Sequence, residues 1–100
     1  MKLKNRVYVE ESTIHGKGLF ARRDIKKGEF IGTFKGPSAK RDGSHVLWIY
    51  HGEEYEGRRG KNALRYLNHS KRANAEFEYF DLYAVKRIRI DCEIFIDYEG

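Results

Sequence analysis

Three short segments of this 100-residue chain carry side chains whose type and spacing could do chemistry. The first is His15-Gly16-Lys17-Gly18-Leu19-Phe20. Two glycines one residue apart let the backbone approach a ligand closely and present its N–H groups. The third glycine and the following helix of a dinucleotide fingerprint are missing, and on its own the segment reads more readily as a turn between strands. The second is Leu64-Arg65-Tyr66-Leu67-Asn68-His69-Ser70, with Asn74 beyond it. Adjacent Asn and His can offer hydrogen bonds to a polar ligand, or can simply cap a turn through their own backbone. A catalytic Ser–His pair is a poor reading, because neighbours on a loop rarely bring hydroxyl and imidazole together. A metal site is equally poor, since the other histidines lie at unhelpful spacings and no carboxylate pair accompanies them. The third is Glu93-Ile94-Phe95-Ile96-Asp97-Tyr98, an alternating run that ends in Asp-Tyr. A tyrosine there is commonly a core or rim residue, yet its hydroxyl can also anchor a reacting group.

The elements that must position these segments are short. Alternation around Val7 and Val9 predicts a strand over 6–10, and apolar or aromatic runs predict strands over 30–34, 46–50, 77–85 and 94–98. His51-Gly52-Glu53 predicts a hairpin turn into a strand near Tyr55. Only 62–67 reads as a helical turn, too short to stand without packing. Ala21-Arg-Arg-Asp-Ile-Lys-Lys-Gly28 is loosely echoed by Ala84-Val-Lys-Arg-Ile-Arg-Ile-Asp91, each a strand end, a basic segment and a tight turn. The expectation is one mainly β domain over 1–100, in several small sheets.

A 40% hydrophobic and 35% charged composition, with fourteen aromatics among the counted Trp, Tyr and Phe, suits a small globular core. No stretch approaches the ~20 apolar residues of a membrane span. The start, Met-Lys-Leu-Lys-Asn, has no apolar segment behind it, and Cys92 is the only cysteine. The expected setting is therefore a reducing cytoplasm. The net charge of +5 permits attraction to nucleic acid, but the basic residues are scattered among acidic stretches, so nucleic acid is not expected as the main partner.

Taken in order, these motifs resemble those of the SET domain family of protein lysine methyltransferases. Gly16-Lys17-Gly18-Leu19-Phe20-Ala21 resembles the family's opening Gly-x-Gly motif, and Ile25 to Ile31 the stretch after it. Phe34-Lys35-Gly36 stands where Tyr-x-Gly is usual. Arg65 to Ser70, with Asn74, resembles Arg-Phe-x-Asn-His-Ser, and Glu93 to Tyr98 resembles the closing Glu-Leu-x-x-Asp-Tyr. Lys71 and Ala73 stand where cysteine and proline are usual, Asp91 replaces a glycine, and the insert between the halves is very short.

The resemblance implies small curved sheets with a C-terminal pseudoknot, and S-adenosylmethionine as methyl donor. It implies a cofactor site at Lys17, Gly18, Arg65, Asn68 and His69, with Tyr98 at the reaction centre. Phe34, Phe77 and Ile96 would line the channel for the target lysine of a protein or peptide, and no metal is implied. With two residues after Tyr98, a second subunit or the substrate is expected to complete the channel. Two other readings stay open: a catalytically degenerate SET-like module that binds peptide or nucleic acid, and a small basic β-barrel that binds RNA.

Overall fold

A computed structural model describes residues 2–98. A single helical turn, α1 (Leu3–Arg6), leads into β1 (Val7–Glu11), β2 (Lys17–Ala21), β3 (Phe30–Thr33), β4 (Ser38–Ala39), β5 (Val46–His51) and β6 (Glu54–Arg59). A 3-10 turn (Ala63–Tyr66) follows, then β7 (Asn68–His69), β8 (Ala75–Glu78), β9 (Asp81–Ala84) and β10 (Glu93–Ile96). The strands form three sheets, ordered β1-β2-β10-β7, β3-β9-β8 and β4-β6-β5. The mainly β architecture in small sheets, with a short turn at Ala63–Tyr66, is the one that the sequence predicts; the helical turn at Leu3–Arg6 is not among its expectations.

The core is made by alternation. Val7, Leu19, Ala21, Ile94 and Ile96 turn one face of the first sheet inward, and Ile31, Leu82, Ala84 and Phe80 join them from the second. Leu64 and Leu67, on either side of the 3-10 turn's last residues, bury into the same cluster, so packing holds a turn that could not stand alone.

Several elements differ from the sequence expectation. Lys17–Ala21 is a strand, because Leu19 and Ala21 face the core while the glycines only begin it. The expected strand over 77–85 is instead the β8–β9 hairpin, broken where Tyr79 takes a left-handed φ of 59°. The turn at Gly52-Glu53 forms as expected, with His51 opposite Glu54 and Gly52 at φ 59°. β10 ends at Ile96, short of the predicted 98.

β10 ties distant parts of the chain together. It runs antiparallel to β2 and parallel to β7. The loop after β7 wraps across it: the Ser70 N–H donates to Ile96 O at 3.0 Å, and the Asn74 N–H to Phe95 O at 3.2 Å. The Asn74 side chain accepts the Phe95 N–H at 2.8 Å and donates to Glu93 O at 2.9 Å, acting as a peptide where no strand is available. These bonds make the crossing that the family resemblance implies.

The echoed basic segments also meet. Ile25 and Ile88, which correspond in the echo, exchange both backbone hydrogen bonds, at 2.8 and 2.9 Å. The Gly28 N–H donates to Ala84 O and the Asp91 N–H to Ala21 O, each at 2.7 Å, and Gly28 and Asp91 both have left-handed φ, 85° and 67°. The two segments are thus related by a local two-fold.

Asn74→Ala should cost roughly 2–4 kcal/mol, because two hydrogen bonds are lost and two backbone groups of β10 are left short of partners. Urea denaturation checks this; a loss under 1 kcal/mol would mean that the loop holds without its side-chain clip.

Candidate functional site

Two neighbouring cavities meet at one tyrosine. The first, of about 390 Å³, is lined by the loop His15, Gly16 and Lys17, by Phe34, by His45 to Leu47, by Arg65 to Asn68, and by Tyr98. The second is a groove of about 530 Å³ between β5 and the β8–β10 region. Leu47, Trp48 and Ile49 form one wall; Ala75, Phe77, Val85 and Ile96 form the other; Asp97 and Tyr98 close the end. Leu47 and Tyr98 line both spaces, and so form the partition between them.

Glu93 builds the first cavity although it does not line it. Its Oε1 accepts the Ser12 hydroxyl at 2.7 Å and its Oε2 accepts from Asn68 Nδ2 at 2.9 Å. The same Asn68 amide reaches His15 O and Lys17 O, each at 3.2 Å, so two hydrogens are shared among three acceptors. The Ser12 N–H closes the loop by donating to Gly16 O at 2.7 Å. One carboxylate thus pins both the glycine loop and the Asn-His segment. Gly18 is required beneath it: a Cβ there would stand 2.3 Å from Glu93 Oε2 and 3.2 Å from Asn68 Nδ2.

The far wall uses a strained residue. His45 has a φ of 62°, a conformation uncommon outside glycine but more accessible to His than to most side chains. It is held there by its carbonyl, which accepts the Gly60 N–H at 2.8 Å, and by Nδ1, which lies 2.9 Å from Arg65 O. Its ring meets Tyr66 edge-on at 5.7 Å. The Arg65 guanidinium donates to Lys61 O at 2.8 Å and to the Tyr66 hydroxyl at 2.9 Å.

Tyr98 is 58% exposed. Its hydroxyl turns inward and donates to Leu67 O at 3.3 Å. Burial of that hydroxyl raises its pKa above the ordinary 10. His69 sets the position from behind: Nδ1 accepts the Tyr98 N–H at 3.1 Å, the two rings stack at 5.9 Å and 22°, and Asp97 lies 3.7 Å from the same nitrogen.

The residues expected from the sequence therefore fall into place unequally. Lys17, Arg65 and Asn68 line the first cavity, and Gly18 lies directly behind it. His69 lines neither space and acts on Tyr98. Phe77 and Ile96 line the groove, whereas Phe34 lines the first cavity and touches Phe77 edge-on at 6.0 Å. His15, Tyr66 and Leu67 fell within the segments singled out from the sequence but were not assigned to the site, and His45 and Leu47 lay outside those segments. Of the last two, Leu47 carried a signal, the apolar run of β5. Among the described residues, no group of three or more His, Cys, Asp or Glu side chains is placed to hold a metal ion.

Small, mostly antiparallel sheets, a C-terminal strand crossed by an Asn-His loop, and two cavities meeting at a tyrosine are the features of a SET fold. The SET domain family model matches residues 16–99, and the chain belongs to that family. It is 26% identical, over 98% of its length, to the histone-lysine N-methyltransferase MEDEA of Arabidopsis thaliana, of which it spans 17%. A solved Plasmodium falciparum protein, assigned as a histone methyltransferase, superposes with a TM-score of 0.70 at 25% identity, covering 93% of this chain and 92% of that one. The methyltransferase domain of human SETMAR gives a TM-score of 0.81 at 23% identity, over 94% of this chain and 44% of that one, and so attests the fold.

Gly18→Ala should leave the sheets intact but displace the Glu93 carboxylate and loosen residues 12–17. Hydrogen exchange at the Ser12 amide should quicken about tenfold or more, the scale of one lost hydrogen bond. Unchanged exchange there would show that Glu93 does not hold the loop.

Proposed function

We propose that the protein is an S-adenosylmethionine-dependent protein lysine methyltransferase. The observation that carries this is the partition: two neighbouring cavities share Tyr98 and Leu47 as their common wall.

The first cavity suits an amino acid joined to a nucleoside. Gly16 and Lys17 offer loop backbone, Arg65 and Lys17 offer cations for a carboxylate, and the Phe34, His45 and Tyr66 rings offer faces for a purine. When bound there, S-adenosylmethionine supplies a methyl group on a sulfonium, which an amine takes by in-line displacement.

The groove suits a lysine. Its walls are largely apolar, and β5 and β8 each present one unpaired edge to it, so an extended peptide can add as a strand. Apolar walls disfavour the ammonium form, and the free amine, with a reference pKa near 10.4, is the nucleophile. The proton passes to water, so no strong side-chain base is needed. The Tyr98 hydroxyl and the groove walls hold the amine in line; such alignment is worth up to about 7–11 kcal/mol. The docked peptide or a second copy of the chain covers the exposed face of Tyr98.

Calorimetry tests the cofactor half. Wild type should bind S-adenosylmethionine or its demethylated product, and Asn68→Ala should weaken binding at least about tenfold by freeing the loop. No binding at millimolar cofactor would end the proposal. Tyr98→Phe should keep most cofactor affinity and lose turnover by about 10² or more.

The raised pKa of Tyr98 gives a pH prediction. A raised value favours the neutral phenol, so the hydroxyl remains a donor below about pH 10 and is lost only as pH rises through the folded-state value. The rate should climb toward pH 10 as the substrate amine deprotonates. An alkaline fall centred below pH 10 that Tyr98→Phe abolishes would contradict this.

Neither Phe77 nor Ile96 in the groove can donate a hydrogen bond to a methylated amine. Such an amine can rotate and attack again, so products beyond monomethyl-lysine are expected, and Phe77→Tyr should shift the product toward monomethyl. Mass spectrometry on a peptide decides; wild type that stops at one methyl with both reactants in excess would refute it.

A further inference from the structure

The two echoed segments form a cationic strip whose charged side chains line neither cavity. Ile25 and Ile88 are buried at 0% and 2% exposure, and each is locked to the other by the reciprocal bridge. Strand alternation then forces their neighbours outward. Lys26 and Lys27 from the first segment, and Lys86, Arg87 and Arg89 from the second, all emerge exposed around this one bridge. Arg22 joins them, its guanidinium 5.2 Å from the centre of the Tyr8 ring.

The acids on the strip are occupied by the fold. Asp24 accepts the Ile90 N–H at 2.9 Å and pairs with Arg87 at 3.1 Å. Asp91 accepts the Tyr8 hydroxyl at 2.8 Å, and Glu29 accepts the Lys26 N–H at 3.1 Å. Among the described residues, Lys26, Lys27, Lys86 and Arg89 form no ion pair. Their charge is directed at solvent.

We infer that this strip, beside the groove, is a docking surface for the phosphate backbone of duplex nucleic acid. Its cations come from two segments on either side of one bridge, more than one small anion would neutralise. Phosphates repeating at roughly 3.4 Å of axial rise per strand can meet several of them. An anionic membrane fits less well, because only Ile90, 53% exposed, stands beside the cations to enter a bilayer. Val85, next to Lys86, lines the groove, so a duplex on the strip lies along the rim of the groove. The contact is to backbone, so it is not sequence-specific.

The test is fluorescence anisotropy with a labelled duplex of about 20 base pairs, titrated against salt. Wild type should bind, and the logarithm of its affinity should fall linearly with the logarithm of salt concentration. Lys26→Gln/Lys86→Gln/Arg89→Gln should weaken binding at 50 mM salt by at least about tenfold and reduce the slope by about two to three, one unit per lost phosphate contact. Lys35→Gln/Lys40→Gln/Arg41→Gln removes the same charge elsewhere and should change affinity less than about threefold. Circular dichroism should show both variants folded; if the strip variant is not, the single variants Lys26→Gln and Arg89→Gln, each with a slope change near one, replace it. Equal losses in the two triple variants would overturn the assignment, since net charge alone would then account for binding. So would the absence of duplex binding at 50 mM salt, and so would binding to anionic vesicles without binding to duplex.

Discussion

The structure depends on one carboxylate. Glu93 sits on the last strand, yet it accepts from Ser12 near the first turn and from Asn68 in the middle of the chain. Through Asn68 it fixes the carbonyls of His15 and Lys17, and so the loop that walls the first cavity. A charged acceptor with two oxygens can hold donors from two elements at once, which a neutral amide carbonyl at this position could not do with equal strength. The need to seat that carboxylate against the β2 backbone excludes any side chain at position 18.

From this clip follows the position of Tyr98. β10 enters the middle of the sheet between β2 and β7, and its exit is fixed by the bonds of Ser70 and Asn74 to its backbone. Two residues later the chain meets His69, whose imidazole takes the Tyr98 N–H. Tyr98 is left at the boundary of the two cavities, which share it and Leu47 as a common wall. The crossing costs chain entropy, because loops must close around a strand, and the side-chain clips of Asn68 and Asn74 offset it.

Much of this was legible in the sequence, but unevenly. Alternation in β1 and β10 was plain, because one face of each is buried, and β5 was legible as an apolar and aromatic run. The turn at Gly52-Glu53 was legible from residue type. β8 and β9 read as one strand, since nothing in Tyr79-Phe80 announces a turn, and Tyr79 adopts its left-handed φ against preference. β2 was hidden by glycines whose turn chemistry masked the two apolar residues after them. Lys17, Arg65, Asn68 and Tyr98 were readable through motif order. His45 was not, because its role comes from backbone strain and from Arg65 O, 20 residues away. His69 was expected in the cofactor site from the family resemblance; its ring bonds to the Tyr98 backbone, a long-range contact that no local pattern encodes. The echo of 21–28 in 84–91 was weak as sequence and became informative once the Ile25–Ile88 bridge joined its two halves.

The central claim is that donor and acceptor approach Tyr98 from opposite cavities. Nuclear Overhauser contacts from a ¹³C-labelled methyl group of bound S-adenosylmethionine measure this directly. The account predicts contacts from that methyl to the side chains of Tyr98 and Leu47, which line both spaces, while a lysine peptide bound with the demethylated product contacts Ile49, Phe77 and Ile96. A methyl group seen only against Phe77 and Ile96, or a peptide lysine seen only against Lys17 and Arg65, would contradict it.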